Sequence, residues 1–139
     1  MKTIALFVVL AILSSTNIYA QCTFEKYTQK GIKMLSQEHE GFTFLKSYEI
    51  AGAEGKKFSY IFTQGTSYLI TLANNDVHSN GIYLSVYDSN DKLITTSKMN
   101  DKFYSAIQFN CKGTGVYQLK FNFEGANEHC AVAVLGMKR

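Results

Sequence analysis

The sequence has 139 residues with no proline, no tryptophan, three cysteines, nine tyrosines and ten phenylalanines, and a net charge of +3. A hydrophobic fraction of 46% with so little net charge excludes an intrinsically disordered chain, and the missing proline excludes a collagen-like or proline-rich filament. So small a charge supplies few counterion-releasing contacts, so no nucleic-acid partner is expected.

Lys2 precedes an uninterrupted apolar run from Ile4 to Leu13, and Ser14 to Ala20 then turns polar and ends on a small residue. This is the three-part plan of a secretory signal peptide, with cleavage near Ala20. The apolar run is half the ~20 residues that cross a bilayer, so no membrane span is expected. Gln21, rather than Gly or Ala, precedes Cys22, which argues against a lipidated cysteine. The expectation is a secreted or periplasmic product in which residues 21–139 form one domain.

Residues 23–37 predict a short amphipathic helix. Phe24, Tyr27, Gly31 and Leu35 recur at spacings of three and four, Glu25 falls in the first turn, and Lys30 and Lys33 fall late. Such a helix is expected to cover one end of a sheet. After Gly41 the period changes to two. Phe42, Phe44 and Tyr48 alternate with polar residues, followed by Phe58, Tyr60 and Phe62. Tyr68, Ile70 and Leu72 come next, then Ile82, Leu84 and Val86, and the clearest case is Tyr117, Leu119, Phe121 and Phe123. Leu93 to Ser97, Phe103 to Asn110 and Cys130 to Met137 are less regular candidates. Alternation of this kind marks strands with one buried and one wet face. Gly, Asn and Asp clusters separate the runs and supply the turns. About eight short strands without room for crossover helices predict an all-β fold, an antiparallel β-sandwich of jelly-roll type behind an N-terminal helix.

In an oxidising compartment three cysteines make one disulfide plus a leftover thiol or an intermolecular bridge. Cys111 ends one predicted strand and Cys130 begins another, with a full strand between. In a plain meander they fall at opposite ends of the sheet, and beyond about 7 Å between Cα atoms no bridge closes. Cys22 reaches more places, so the expected bond joins Cys22 to Cys111 or Cys130. The remaining thiol allows a disulfide-linked homodimer.

Three stretches carry a family resemblance: Gly65-Thr66-Ser67-Tyr68-Leu69-Ile70-Thr71-Leu72, Leu84-Ser85-Val86-Tyr87-Asp88 with Leu93, and Gly113-Thr114-Gly115-Val116-Tyr117-Gln118-Leu119. From about Lys57 onward the chain resembles the pre-peptidase C-terminal type of β-sandwich, a jelly-roll accessory domain of secreted bacterial proteins. As a whole it resembles small secreted bacterial proteins of unassigned function. The resemblance implies a sandwich fold and brings no catalytic residues. Members usually accompany a protease or other catalytic domain, and no such neighbour is present in this sequence.

No serine-nucleophile elbow, zinc-binding helix, phosphate loop or Cys-x-x-Cys pair occurs. His39, His78 and His129 fall in loops or at a strand edge, without a partnered motif. Asn74, Asn75 and Asp76 in one loop and Asp88, Asn90 and Asp91 in another carry oxygen ligands of the kind calcium takes, but the same residues are ordinary turn formers. No metal or cofactor is therefore assigned. Tyr83 and Tyr87 lie on the face of their strand opposite Ile82, Leu84 and Val86. If exposed, they would form an amphipathic platform for a sugar or another chain. The expected function is non-catalytic binding of an extracellular glycan or protein. The alternatives are a structural or assembly protein of the cell surface and, third, a small hydrolase with an unrecognised site.

Overall fold

The computed structural model describes Cys22–Arg139, so the expected leader lies outside the described residues. Helix α1 (Phe24–Gln37) is followed by β1 (Thr43–Ala51), β2 (Lys56–Phe62), β3 (Ser67–Ala73), β4 (Ile82–Tyr87) and β5 (Leu93–Thr96). A small hairpin, β6 (Lys98–Met99) and β7 (Lys102–Phe103), precedes β8 (Ala106–Asn110), β9 (Gly115–Phe123) and β10 (Cys130–Lys138). Two four-stranded antiparallel sheets form, one in the order β1-β10-β3-β8 and the other β2-β9-β4-β5. The chain passes from sheet to sheet in both halves, the winding of a jelly roll. The fold is thus an all-β sandwich with one N-terminal helix.

The two-residue period accounts for the space between the sheets. Phe62, Ile70, Leu72, Ile82, Leu84 and Phe121 are all fully buried there, each contributing roughly 1.5–3 kcal/mol by leaving water. Phe62 anchors an aromatic group with its centroid 4.3 Å from Tyr68, 5.0 Å from Phe109 and 5.2 Å from Tyr117.

A second apolar layer explains why β3 and β10 are buried on both faces along most of their length. Tyr27 and Leu35 of α1 pack on Leu69, Ala73, Val132 and Val134, on the outer face of the β1-β10-β3-β8 sheet. Strands covered on both faces have no reason to alternate. The helix therefore lies across a sheet face rather than over its end, because that face is itself apolar. Its approach is close: the hydroxyl of Thr71 donates to the Gly31 carbonyl at 3.1 Å, and a Cβ on Gly31 would stand 2.6 Å from Val134 Cγ2.

Two local departures from the expected pattern have clear causes. The register of β1 against β10 shifts between Phe44 and Lys46. This bulge turns Leu45 toward the core and leaves Phe44 at 45% exposure. The expected strand from Phe103 to Asn110 is split, with Phe103 pairing Lys98 in the hairpin and β8 beginning at Ala106. Asn100 and Asp101 both have positive φ, 51° and 61°, the conformation of a type I′ two-residue turn.

Candidate functional site

A cavity of about 740 Å³ opens between α1, the loop from β3 to β4, and the β6–β7 hairpin. Each wall has its own origin. On α1, Lys30, Lys33 and Gln37 recur at three and four residues and form a polar stripe beside the buried one. Burial pulls the Lys30 ammonium below the ordinary lysine value, against the opposing pull of Asp76. Its Nζ donates to the Asp76 carbonyl at 3.0 Å and so ties the helix to the second wall.

That second wall, residues 74–80, is held by its own side chains. The Asp76 carboxylate accepts from the backbone N–H of His78 at 2.9 Å and of Asn80 at 3.1 Å. These bonds, that of Asn80 first, hold its pKa below the ordinary carboxylate value. The Asn74 side chain accepts from the Asp76 N–H and donates to the Asn80 carbonyl. Ser79, with φ of 56°, donates from its buried hydroxyl to the Leu72 carbonyl. The resulting turn presents His78 and Asn80 to the cavity.

The third wall is the hairpin, fixed at both roots. Ser97 donates its N–H to the Leu84 carbonyl and accepts from the Leu84 N–H on its hydroxyl. Beyond the hairpin, the Ser105 carbonyl accepts from the Leu72 N–H at 2.7 Å. Lys98 Nζ donates to Glu124 at 2.6 Å and lies 5.6 Å from the Tyr83 and Phe103 ring centroids. So held, the hairpin brings Lys102, Phe103 and Tyr104 to the cavity, with Lys102 Nζ 5.1 Å from the Tyr104 ring centroid.

The structure separates several residues singled out from the sequence. Tyr83 packs with its ring centroid 6.3 Å from Phe103, under the hairpin. Tyr87 instead lines a small cavity of about 170 Å³ with Lys57, Asp91, Gln118 and Lys120. Tyr83 and Tyr87 thus have different surroundings, with Ser85 between them on the strand. Asp76 and Asp88 sit in loops at opposite ends of β4, and the Asp88 carboxylate accepts from the N–H of Asn90 and Lys92. Among the described residues, no three His, Cys, Asp or Glu side chains converge as a metal would require. His129 packs against Phe123 at 5.3 Å, and His78 alone of the three histidines lines the large cavity.

Cys22 is bonded to Cys130, with 5.5 Å between Cα atoms. Cys111 is free and 4% exposed, its thiol beside the Gly113 carbonyl and the Tyr117 hydroxyl. Burial first, and the bond to Cys111 second, push the Tyr117 hydroxyl up to about 12. Among the described residues no helix is long and apolar enough to cross a membrane.

No family model and no curated protein sequence matches the chain. One similar solved structure is the Glycosylation Associate Protein (Gap123) complex from Streptococcus agalactiae. It is 12% identical over 71% of this chain and 39% of that chain, with a TM-score of 0.42. So loose a likeness transfers neither fold nor function. The three stretches singled out in the sequence, residues 65–72, 84–88 with Leu93, and 113–119, fall on the turn into β3, on β4 with the start of β5, and on the turn into β9.

Proposed function

We propose that this chain is a non-catalytic binding module of a secreted or periplasmic protein, taking a glycan or protein ligand in the cavity between α1 and the hairpin. The observation that carries the reading is the construction of that cavity. Three separate elements meet there, each anchored by buried or backbone hydrogen bonds, and together they expose amide, ammonium and aromatic groups without a nucleophile partnered to a base. The intramolecular disulfide fits an oxidising compartment.

The test is a glycan array and a pull-down with the purified chain, repeated with Tyr104→Ala. A retained ligand whose binding drops at least tenfold in the variant is the expected result. Turnover of an ester, glycoside or peptide substrate that falls in His78→Ala would overturn the reading in favour of a hydrolase.

An assembly role has one specific observation behind it. Ile61 and Val116 are cross-strand partners beside the free edge at β2, and they stay 64% and 45% exposed. Self-association lost in Ile61→Lys, measured by light scattering, would favour that alternative.

A further inference from the structure

We infer that the cavity between α1 and the hairpin is an anion site, and that its ligand is a saccharide bearing a carboxylate or phosphate group. This deepens the binding-module reading and rests on it.

Charge is the first argument. Lys30, Lys33 and Lys102 line the cavity against a single carboxylate, Glu38. The nearby Asp76 carboxylate already accepts two backbone N–H groups. Both salt bridges among the described residues are made by Lys98, so none of the three cavity lysines has an ion-pair partner there. An ammonium carries three donors, and the Asp76 carbonyl accepts one from Lys30. That nitrogen is also partly stripped of water, as its depressed pKa reflects. A partly dehydrated cation with spare donors gains more from an incoming anion than a fully solvated one.

Shape and neutral chemistry narrow the class. A volume of about 740 Å³ lies within the range of pockets that enclose small organic ligands. Tyr104 lines the cavity and is 37% exposed, an aromatic group of the kind on which sugar rings stack. Gln37, Asn80 and Ser105 add neutral donors and acceptors between the lysines, which suit hydroxyl groups. An extended acidic peptide would instead seek backbone partners, and the loop wall spends its N–H groups internally.

Calorimetric titration of the purified chain decides the matter, with a uronic-acid disaccharide, a hexose phosphate and a neutral disaccharide as probes. Comparing the first two separates carboxylate from phosphate recognition. The expected result is binding of an acidic probe at least tenfold tighter than the neutral one. That binding should weaken with added salt and drop at least tenfold in Lys33→Gln/Lys102→Gln. Both lysines are exposed, so an unchanged melting temperature would show that the variant folds. Neutral and acidic sugars binding alike, with no effect of the double variant, would overturn the anion site and leave the binding module standing. Tighter binding of an acidic peptide than of either acidic sugar would overturn the saccharide class. If no probe binds while a Tyr104-dependent array ligand exists, the inference fails alone; if neither binds, both readings fail.

Discussion

Asp76 shows how one carboxylate can be consumed by the backbone around it. Its oxygen holds the N–H groups of His78 and Asn80, and this holds its pKa below the ordinary value of 3.8. A depressed folded-state pKa stabilises the loop above the ordinary value, and that stabilisation is lost as pH falls through the folded one. On acidification, amide exchange at His78 and Asn80 should therefore accelerate with a midpoint below 3.8, and Asp76→Ala should exchange fast at every pH. A wild-type loop that stays protected through that range would show that the turn stands on Asn74 and Ser79 instead. The residue types of this loop were legible in the sequence as turn formers. Its role as a cavity wall was not, because Asp76 meets Lys30, at a sequence separation of 46, only once the chain between them has folded. The different surroundings of Tyr83 and Tyr87 were hidden for the same kind of reason: strand period sets a face, but not what later covers it.

At the scale of elements, the contact of α1 with the sheet turns on Gly31. In an isolated helix Gly31→Ala gains about 1 kcal/mol. Here the added methyl would meet Val134 Cγ2 at 2.6 Å and Thr71 Oγ1 at 3.3 Å, and overpacking of this kind costs about 1–3 kcal/mol. Val134 is branched and fully buried, so relief requires the helix to rise and stretch the Thr71 bond to the Gly31 carbonyl. Urea denaturation should show Gly31→Ala less stable by about 1 kcal/mol, with the loss reversed in a Val134→Ala background. A stabilised single variant would mean that the helix rides more loosely than its contacts indicate. The helix itself was readable from its period, although Gly31 counts against helix formation. Its place on a face, rather than an end, was written in the unbroken apolar run Cys130 to Met137 of β10 and in Leu69 and Ala73 on the second face of β3, which a search for alternation passes over. The hairpin was missed because two-residue strands show no period. Its one local signal is Asn100-Asp101, a pair suited to positive φ.

At the scale of the whole molecule, the winding decides which cysteines can meet. A meander would have parted Cys111 from Cys130 across the sheet, whereas the jelly roll parts them along β3. The Cys111 N–H donates to the Thr66 carbonyl beside the start of β3, while Val132 pairs with Ala73 at its end, and seven residues of strand span roughly 24 Å. Cys22 and Cys130 close a loop with a sequence separation of 108, a constraint on the unfolded chain worth about 2–5 kcal/mol. The bond joins the start of α1 to the start of β10, so it also holds the helix wall of the cavity in place. Cys22→Ser/Cys130→Ser should lose about that much stability, with amide protection in α1 falling further than in β9, and acidic-sugar binding falling with it. Cys111→Ser should leave α1 protection unchanged, since its thiol lies between the sheets and touches neither the helix nor the cavity. Equal loss of protection across α1 and β9 in the double variant would place the bond's effect wholly in the unfolded chain, and the cavity would then owe its helix wall to the packing of Tyr27 and Leu35 and to the hydrogen bonds of Gly31 and Lys30.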